Sequence, residues 1–377
     1  MKRSILIMSF LLVGLSTFCQ QTITKNFMHN GVNRSFIVYI PEIYDKTNPA
    51  PLLLNFHGYT MTALTQMNYC DFRPIADTAG FILLVPQGTL LNGSTHWNVG
   101  GWTIGSTADD IGFTNAMIDT IAANYNIDLT KVYSTGFSNG GFFSFELACQ
   151  LGDRIAAIGS VSGSMTPETY NNCNATRRVP ILQIHGTNDN TVPYKGASWT
   201  RPVDTVLTYW INHNQTNTSP TILDLPNLNT TDGSTVKKYT YSGDDSCTSV
   251  VHYQIINGGH TWPGTPGTST NRDINASSVI WNFLSQYSLN DCQTTGITQA
   301  EIFNNILVYP NPTVDRINIK LTENYNKLDI VDLVGKLHYS AKISENSIDL
   351  SELKAGIYFA KFYLQDSKVV TIKITKL

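Results

Sequence analysis

Val132-Tyr-Ser-Thr-Gly-Phe-Ser-Asn-Gly-Gly141 carries Gly136-Phe-Ser-Asn-Gly140, a G-x-S-x-G pentapeptide. An apolar β-branched run precedes it and a helix-capable run, Phe142 to Gln150, follows. The pattern predicts a tight strand-to-helix turn. The flanking glycines remove side chains where strand and helix crowd, and the serine is held out in a strained, exposed conformation. The Ser138 hydroxyl then sits at the carboxyl end of a sheet and the positive end of a helix, where an attacking oxygen can have its oxyanion stabilised. The pentapeptide arises by chance in long chains, and the other reading is a Gly-rich turn that happens to carry a serine. The strand before and the helix after decide for a nucleophile.

A nucleophilic serine needs a base, and the base needs an orienting acid. One chain order found for this elbow places the acid next and the histidine last. Val179-Pro-Ile-Leu-Gln-Ile-His185 reads as a buried strand, and Asp189 lies in the loop after it. Val250-Val-His-Tyr-Gln-Ile-Ile256 reads as a late strand, and His260 lies in the Gly-rich loop Asn257 to Gly264. A lone Asp or His after a strand is usually structural; three such residues in order on successive strand ends point to Ser138, Asp189 and His260 as a catalytic set. The rivals fit less well. His185 reads as a packed strand-end residue and His252 as mid-strand. Asp109 and Asp110 precede a helix pattern, Ile111 to Asn124, where carboxylates suit the dipole. Asp153 falls past the nucleophile helix, on the wrong side.

An oxyanion hole needs two backbone N–H groups. Asn139, directly after the nucleophile, supplies one expected donor. Pro51 to Phe56 reads as an early strand followed by His57-Gly58-Tyr59, and the N–H of Tyr59 is the other. His57 is expected to prop that loop rather than act as a base. With Trp97 and Trp262 it is placed beside the substrate. Trp262 lies two residues after His260, Trp97 and Trp102 lie in a Gly/Asn-rich loop, and flat aromatic faces suit a phenolic ring or an extended polyester chain. Ordinary packing is the other reading for each tryptophan.

These motifs resemble the polyhydroxybutyrate depolymerase and feruloyl esterase group of secreted bacterial α/β-hydrolases, over about Lys25 to Gln286. The resemblance rests on His57-Gly58, Asp109-Asp110-Ile-Gly-Phe113, Val132 to Gly141, Ala156-Ala to Gly163, His185-Gly-Thr-Asn-Asp189 with Val192-Pro-Tyr194, and Gly258-Gly-His-Thr-Trp-Pro-Gly264. It implies an α/β-hydrolase fold, a Ser138–Asp189–His260 triad, hydrolysis of carboxylic esters and no cofactor. Relatives carry depolymerase, feruloyl esterase or acetylxylan esterase labels, so the substrate stays open between a polyester and a plant cell-wall ester. A serine peptidase of the prolyl-oligopeptidase type and a non-catalytic binding protein are the readings from other classes. One departure stands out: Trp210-Ile-Asn-His-Asn-Gln-Thr lacks the cysteine that relatives often carry there, which leaves Cys247 without its usual partner.

Composition fits export. Charged residues make up only 14% of the chain, so amides and hydroxyls solubilise the surface. Residues 21–305 hold 13 Lys+Arg against 20 Asp+Glu, a net −7, which argues against nucleic acid as the main ligand. No phosphate-cradling loop with a lysine and no metal-spaced Cys/His cluster is present. Met1-Lys-Arg and the apolar Ser4 to Leu15 read as a signal peptide over residues 1–19, cleaved before Gln20. No other segment is apolar for about 18 residues, so no stable membrane span is expected. Five cysteines follow the expected cleavage site, and the odd number leaves at least one thiol unpaired. Cys149 and Cys173 flank one αβ unit and form the preferred disulfide; Cys247 with Cys292 is the second pairing considered.

Strands and helices alternate through residues 20–287, which implies a mostly parallel sheet with helices on both faces. Strands are expected at Phe36–Ile40, Leu52–Phe56, Phe81–Pro86, Lys131–Phe137, Ala156–Ser162, Val179–His185 and Val250–Ile256. Helices are expected at Ile111–Asn124, Val203–Asn212 and Ser277–Tyr287, with Asn214–Asp232 a surface excursion. Residues 288–305 read as a linker. Residues 306–377 alternate with period two around Gly335 and Gly356, which predicts a small all-β sandwich. Its motifs Val308-Tyr-Pro-Asn-Pro312, Val331-Asp-Leu-Val-Gly-Lys336, Leu353 to Phe359 and Lys373 to Leu377 resemble the sorting domain of type IX secretion substrates. That resemblance implies the type IX secretion machinery as partner and a secreted or cell-surface location. A polymer-binding module is the alternative for this tail.

Overall fold

In the computed structural model, residues 20–243, 248–267 and 270–290 are described, together with 306–376 apart from 310, 312, 322–324, 333–334, 343–346 and 365–368. The expected signal peptide, most of the linker and the Cys247–Cys292 pairing lie outside the described residues. The chain divides into two compact units, residues 1–292 and 293–377.

Apolar runs bounded by turns set the strands of the first unit. In order these are β1 (Gln21–His29), β2 (Val32–Ile40), β3 (Ala50–Phe56), β4 (Ile82–Pro86), β5 (Thr89–Leu91), β6 (Ser94–His96), β7 (Ile127–Phe137), β8 (Ala157–Val161), β9 (Ile181–Gly186), β10 (Thr221–Asp224), β11 (Thr235–Ser242) and β12 (Ser249–Ile256). The helices are α1 (Ala63–Tyr69), α2 (Arg73–Ala79), α3 (Asp110–Asn124), α4 (Asn139–Gln150), α5 (Pro167–Asn172), α6 (Val203–Asn214) and α7 (Ala276–Leu284). Ten strands form one sheet in the order β1-β2-β4-β3-β7-β8-β9-β12-β11-β10. The six from β4 to β12 are mutually parallel, and antiparallel strands extend the sheet on either side.

Side chains alternate across the sheet and feed two cores. Leu52, Leu54 and Phe56 join a cluster with α3, α4 and α6 residues such as Met117, Phe143 and Trp210. Leu53 and Tyr133 join a second cluster with Met67 of α1, Ala76 of α2 and Trp281 of α7. Strands buried on both faces read as continuous apolar runs for this reason. Caps fix where helices start: Asp109 accepts the Gly112 N–H at α3 and Asn275 accepts the Ser278 N–H at α7.

The sheet is wider than the apolar runs alone predict. β1, β10 and β11 are additional, and β10 runs inside the expected surface excursion. Cys149 and Cys173 form a disulfide that ties the end of α4 to the end of α5. Cys70, at the end of α1, is a buried free thiol. Its peptide oxygen accepts from Asn55 Nδ2.

In the second unit β13 (Ile306–Tyr309), β14 (Arg316–Leu321) and β17 (Ser347–Asp349) make one antiparallel sheet. β15 (Tyr325–Asp332), β16 (Leu337–Lys342), β18 (Gly356–Leu364) and β19 (Val369–Lys376) make the other. Ile317 and Ile348 of the first sheet share a core with Leu328, Phe362 and Ile374 of the second. This is the small sandwich that the period-two alternation predicts.

Candidate active site

Parallel strands β3, β7, β9 and β12 all end on one edge of the sheet, so the loops after them converge there. The loop after β7 is the serine turn. Ser138 has φ +53° and ψ −117°, a conformation rarely adopted by an L-residue, and α4 starts at the next residue. Its N–H is held by Val161 O at 2.8 Å. A Cβ at Gly136 would lie 2.4 Å from the Gly140 carbonyl carbon, and one at Gly140 would lie 2.1 Å from Phe56 O. The turn therefore closes only with glycine on both sides of the serine.

The loops after β9 and β12 are stapled together. Thr187 N–H donates to Ile255 O and Asn188 N–H to Gly258 O, each at 2.9 Å. A Cβ at Gly186 would meet Gly258 O at 2.2 Å. This close approach carries His260 Nδ1 to 2.7 Å from Asp189 Oδ2. The His260 ring lies 4.8 Å from that of Phe137, the residue before Ser138. The structure thus brings the three sequence-chosen residues to one stretch of the sheet edge.

Asp189 is buried and surrounded by donors. Oδ1 accepts from Thr191 N–H at 2.9 Å and Val192 N–H at 2.8 Å, while Oδ2 faces His260 and, at 3.4 Å, His185 Nε2. Burial alone pushes the carboxyl upward, but hydrogen bonds and charge from His185 and His260 outweigh it and hold it well below the usual carboxylate range. His185 itself is fixed by its partners. Gln183 Nε2 donates to Gly163 O at 2.8 Å, His185 Nδ1 lies 3.0 Å from Gln183 Nε2 and 3.2 Å from Gly163 O, and His185 Nε2, which faces acceptors, carries a proton and gives it to Val192 O at 2.8 Å. His185 is the packed residue that the strand end suggested, and its proton also faces Asp189.

Tyr59 and Asn139 flank the serine turn, and among the described residues neither backbone N–H has a protein acceptor. Gly88 N–H donates to His57 Nε2 at 2.9 Å, so the proton of neutral His57 is on Nδ1 and goes to Gly58 O at 2.8 Å. Gly58 O and Tyr59 N–H share one planar trans peptide and point oppositely. Tethering the carbonyl inward therefore turns the N–H outward. Burial pulls His57 down to about 4, which keeps it neutral.

The aromatic expectations need correcting. Trp262 is 1% exposed; its Nε1 donates to Ser277 Oγ at 3.1 Å, and its ring packs edge-on against Phe72 and Phe137. Trp97 is fully buried; its Nε1 donates to His57 O, and its backbone N and O are both bound by the Asn139 side chain. His57 is also fully buried. None of the three offers a face to a cleft: they are the frame behind the loops. The accessible aromatic surface is instead Tyr59, 41% exposed, edge-on to Trp102 at 5.7 Å, with Trp199 6.2 Å beyond. Trp199 comes from the loop before α6, far in sequence from the serine turn, and no local signal marks it.

The remaining candidates hold structure together. Asp110 pairs with Arg34 in a buried bridge, Asp109 caps α3, and His252 is buried in β12, its charge disfavoured by burial that pulls it down to about 4. Among the described residues no group of three or more His, Cys, Asp or Glu side chains could hold a metal ion, and no helix is long and apolar enough to cross a membrane.

Residues 107–219 match the phospholipase/carboxylesterase family, and residues 307–376 match the secretion system C-terminal sorting domain. The latter indicates type IX secretion to the cell surface or the extracellular space. The chain is 27% identical over 270 residues to a bifunctional acetylxylan esterase/xylanase of Neocallimastix patriciarum, covering 72% of this chain and 36% of that protein. It is 32% identical over 166 residues to feruloyl esterase B of Piromyces equi, covering 44% and 31%. The chain thus spans about a third of the length of these curated relatives. An acetyl xylan esterase structure from Aspergillus awamori superposes with a TM-score of 0.51 at 16% identity, over 71% of this chain and 99% of that one. The likeness gives the first unit the α/β-hydrolase fold.

Proposed function

We propose that the first unit is a serine esterase that hydrolyses carboxylic esters through an acyl-enzyme, and that its substrates are acyl groups on plant cell-wall polysaccharide. The observation that carries this is the 2.7 Å Asp189–His260 bond beside a serine held at φ +53° between strand and helix. His260 takes the Ser138 proton, and Asp189 fixes the ring so that Nε2 is the basic nitrogen and stabilises the imidazolium. Ser138 attacks the ester carbonyl while the Tyr59 and Asn139 N–H groups hold the oxyanion. His260 then protonates the leaving alcohol and activates water to release the acid. The names of the two relatives support an acetyl or feruloyl group as the acyl part. The Tyr59–Trp102–Trp199 face offers a flat ring a surface to lie against. The proposed partner for export is the type IX secretion machinery.

The test is product release from methyl ferulate, acetylated xylan and polyhydroxybutyrate by the wild type and Ser138→Ala. Release from either of the first two, reduced roughly 10⁶-fold in the variant, is expected. Release confined to polyhydroxybutyrate would replace the cell-wall substrate with a polyester. Release that survives Ser138→Ala would overturn the mechanism.

A further inference from the structure

A cavity of about 610 Å³ lies on the same edge of the sheet as Ser138, on the β4–β2 side. Gln87 and Gly88, just past β4, contribute to its lining; the β1–β2 hairpin from His29 to Ser35, β5 and the 105–109 loop supply the rest. In the sheet order β2-β4-β3-β7, two to three strand spacings separate it from the serine turn, about 10–14 Å. The two regions share a residue contact, since Gly88 N–H donates to His57, whose other nitrogen tethers the Tyr59 loop.

Its lining points to a particular chemistry. The charged side chains are already partnered: Arg34 pairs with Asp110, and Asp109 is paired by hydrogen bonds with His29 Nε2 at 2.9 Å and Asn30 Nδ2 at 2.8 Å. A charged ligand would have to break a pair, so a neutral one is favoured. Arg34 is 3% exposed, yet its Nε donor has no partner among the described residues. Asn33, Ser35 and Thr107 can each donate and accept, as hydroxyl-rich ligands require. Leu90, 68% exposed, adds an apolar patch for the C–H face of a ring. A polyester, which has acceptors but no donors along its length, would leave the acceptors of this wall unpaired.

We propose that this cavity is a glycan subsite: it binds a neutral, hydroxyl-rich saccharide segment of the polymer whose ester is cut at Ser138. The inference rests on the esterase reading for its purpose, though saccharide binding can be measured without turnover. Recognition at the subsite falls on the leaving-group side of the reaction, so it alters how polymer-borne esters bind and leaves small esters untouched.

The experiment uses the full chain carrying Ser138→Ala, titrated calorimetrically with xylohexaose and cellohexaose, with and without Thr107→Trp at the exposed rim. At least one saccharide should bind, and Thr107→Trp should weaken it roughly tenfold, about 1.4 kcal/mol. In the chain with Ser138 intact, Thr107→Trp should raise KM for acetylated xylo-oligosaccharide by a similar factor and leave methyl ferulate kinetics unchanged. If Thr107→Trp fails to fold, Asn33→Ala with Leu90→Ala at exposed positions gives the same comparison. No saccharide binding, or binding that none of these substitutions weakens, overturns the subsite. Saccharide binding that the substitutions weaken, in a chain with no Ser138-dependent ester release, keeps the subsite and overturns the esterase reading.

Discussion

Asp189 illustrates how single residues here are over-determined. Four donors converge on a buried carboxylate that stays ionised because those donors outweigh burial. Its folded pKa is depressed, so its contribution to stability is present above the ordinary carboxylate value of about 3.9 and is lost as pH falls through the folded one. Asp189→Asn keeps much of the shape but permits the wrong His260 tautomer, and kcat should fall about 10⁴-fold in steady-state assays. His57→Ala tests the frame. It removes the tether on Gly58 O, so kcat should fall roughly 10²-fold with KM little changed, as for loss of one oxyanion donor. An unchanged kcat with lowered unfolding stability would instead mean that His57 merely packs. Residues just past strand ends were legible in sequence, because chain order and strand pattern locate them. The roles of Trp97 and Trp262 were not. A tryptophan in a Gly-rich loop reads the same whether its indole N–H faces a ligand or, as here, His57 O and Ser277 Oγ.

Among elements, the parallel strands and β2 were legible, and β1, β10 and β11 were not. β3, β4, β8, β9 and the Val132–Phe137 half of β7 are buried on both faces, whereas β10 is exposed throughout and β11 carries two adjacent lysines with tyrosine and threonine. Edge strands draw their order from backbone pairing with a neighbour, which leaves little trace in composition. Two predictions belong to this scale. Gly186→Ala forces the β9 and β12 loops apart at Gly258, and a shift on the order of 1 Å between Asp189 and His260 should cost roughly 10²-fold in kcat. A fully active Gly186→Ala enzyme would show that the loops yield elsewhere. The Cys149–Cys173 bridge closes a loop of sequence separation 24. Replacing both cysteines with serine should lower unfolding stability by about 3 kcal/mol in denaturant titration.

At the scale of the whole molecule, acid sensitivity follows from two buried neutral histidines. His57 and His252 are each lowered from 6.5 to about 4 by burial. Between those values the unfolded chain binds protons that the folded one refuses, so stability falls as pH drops, by at most about 1.4 kcal/mol per pH unit for each. Urea midpoints measured from pH 7 to 4 should decline accordingly, and a flat profile would mean that these rings protonate in place. Cys70 leads elsewhere. Its thiol is fully enclosed, and burial pushes it well above its ordinary value despite the nearby Gln66. An alkylating reagent can reach that sulfur only when the packing between α1 and β3 opens. The protein thus carries a built-in stopwatch: the slow labelling of one peptide, followed by mass spectrometry, counts how often the folded chain breathes.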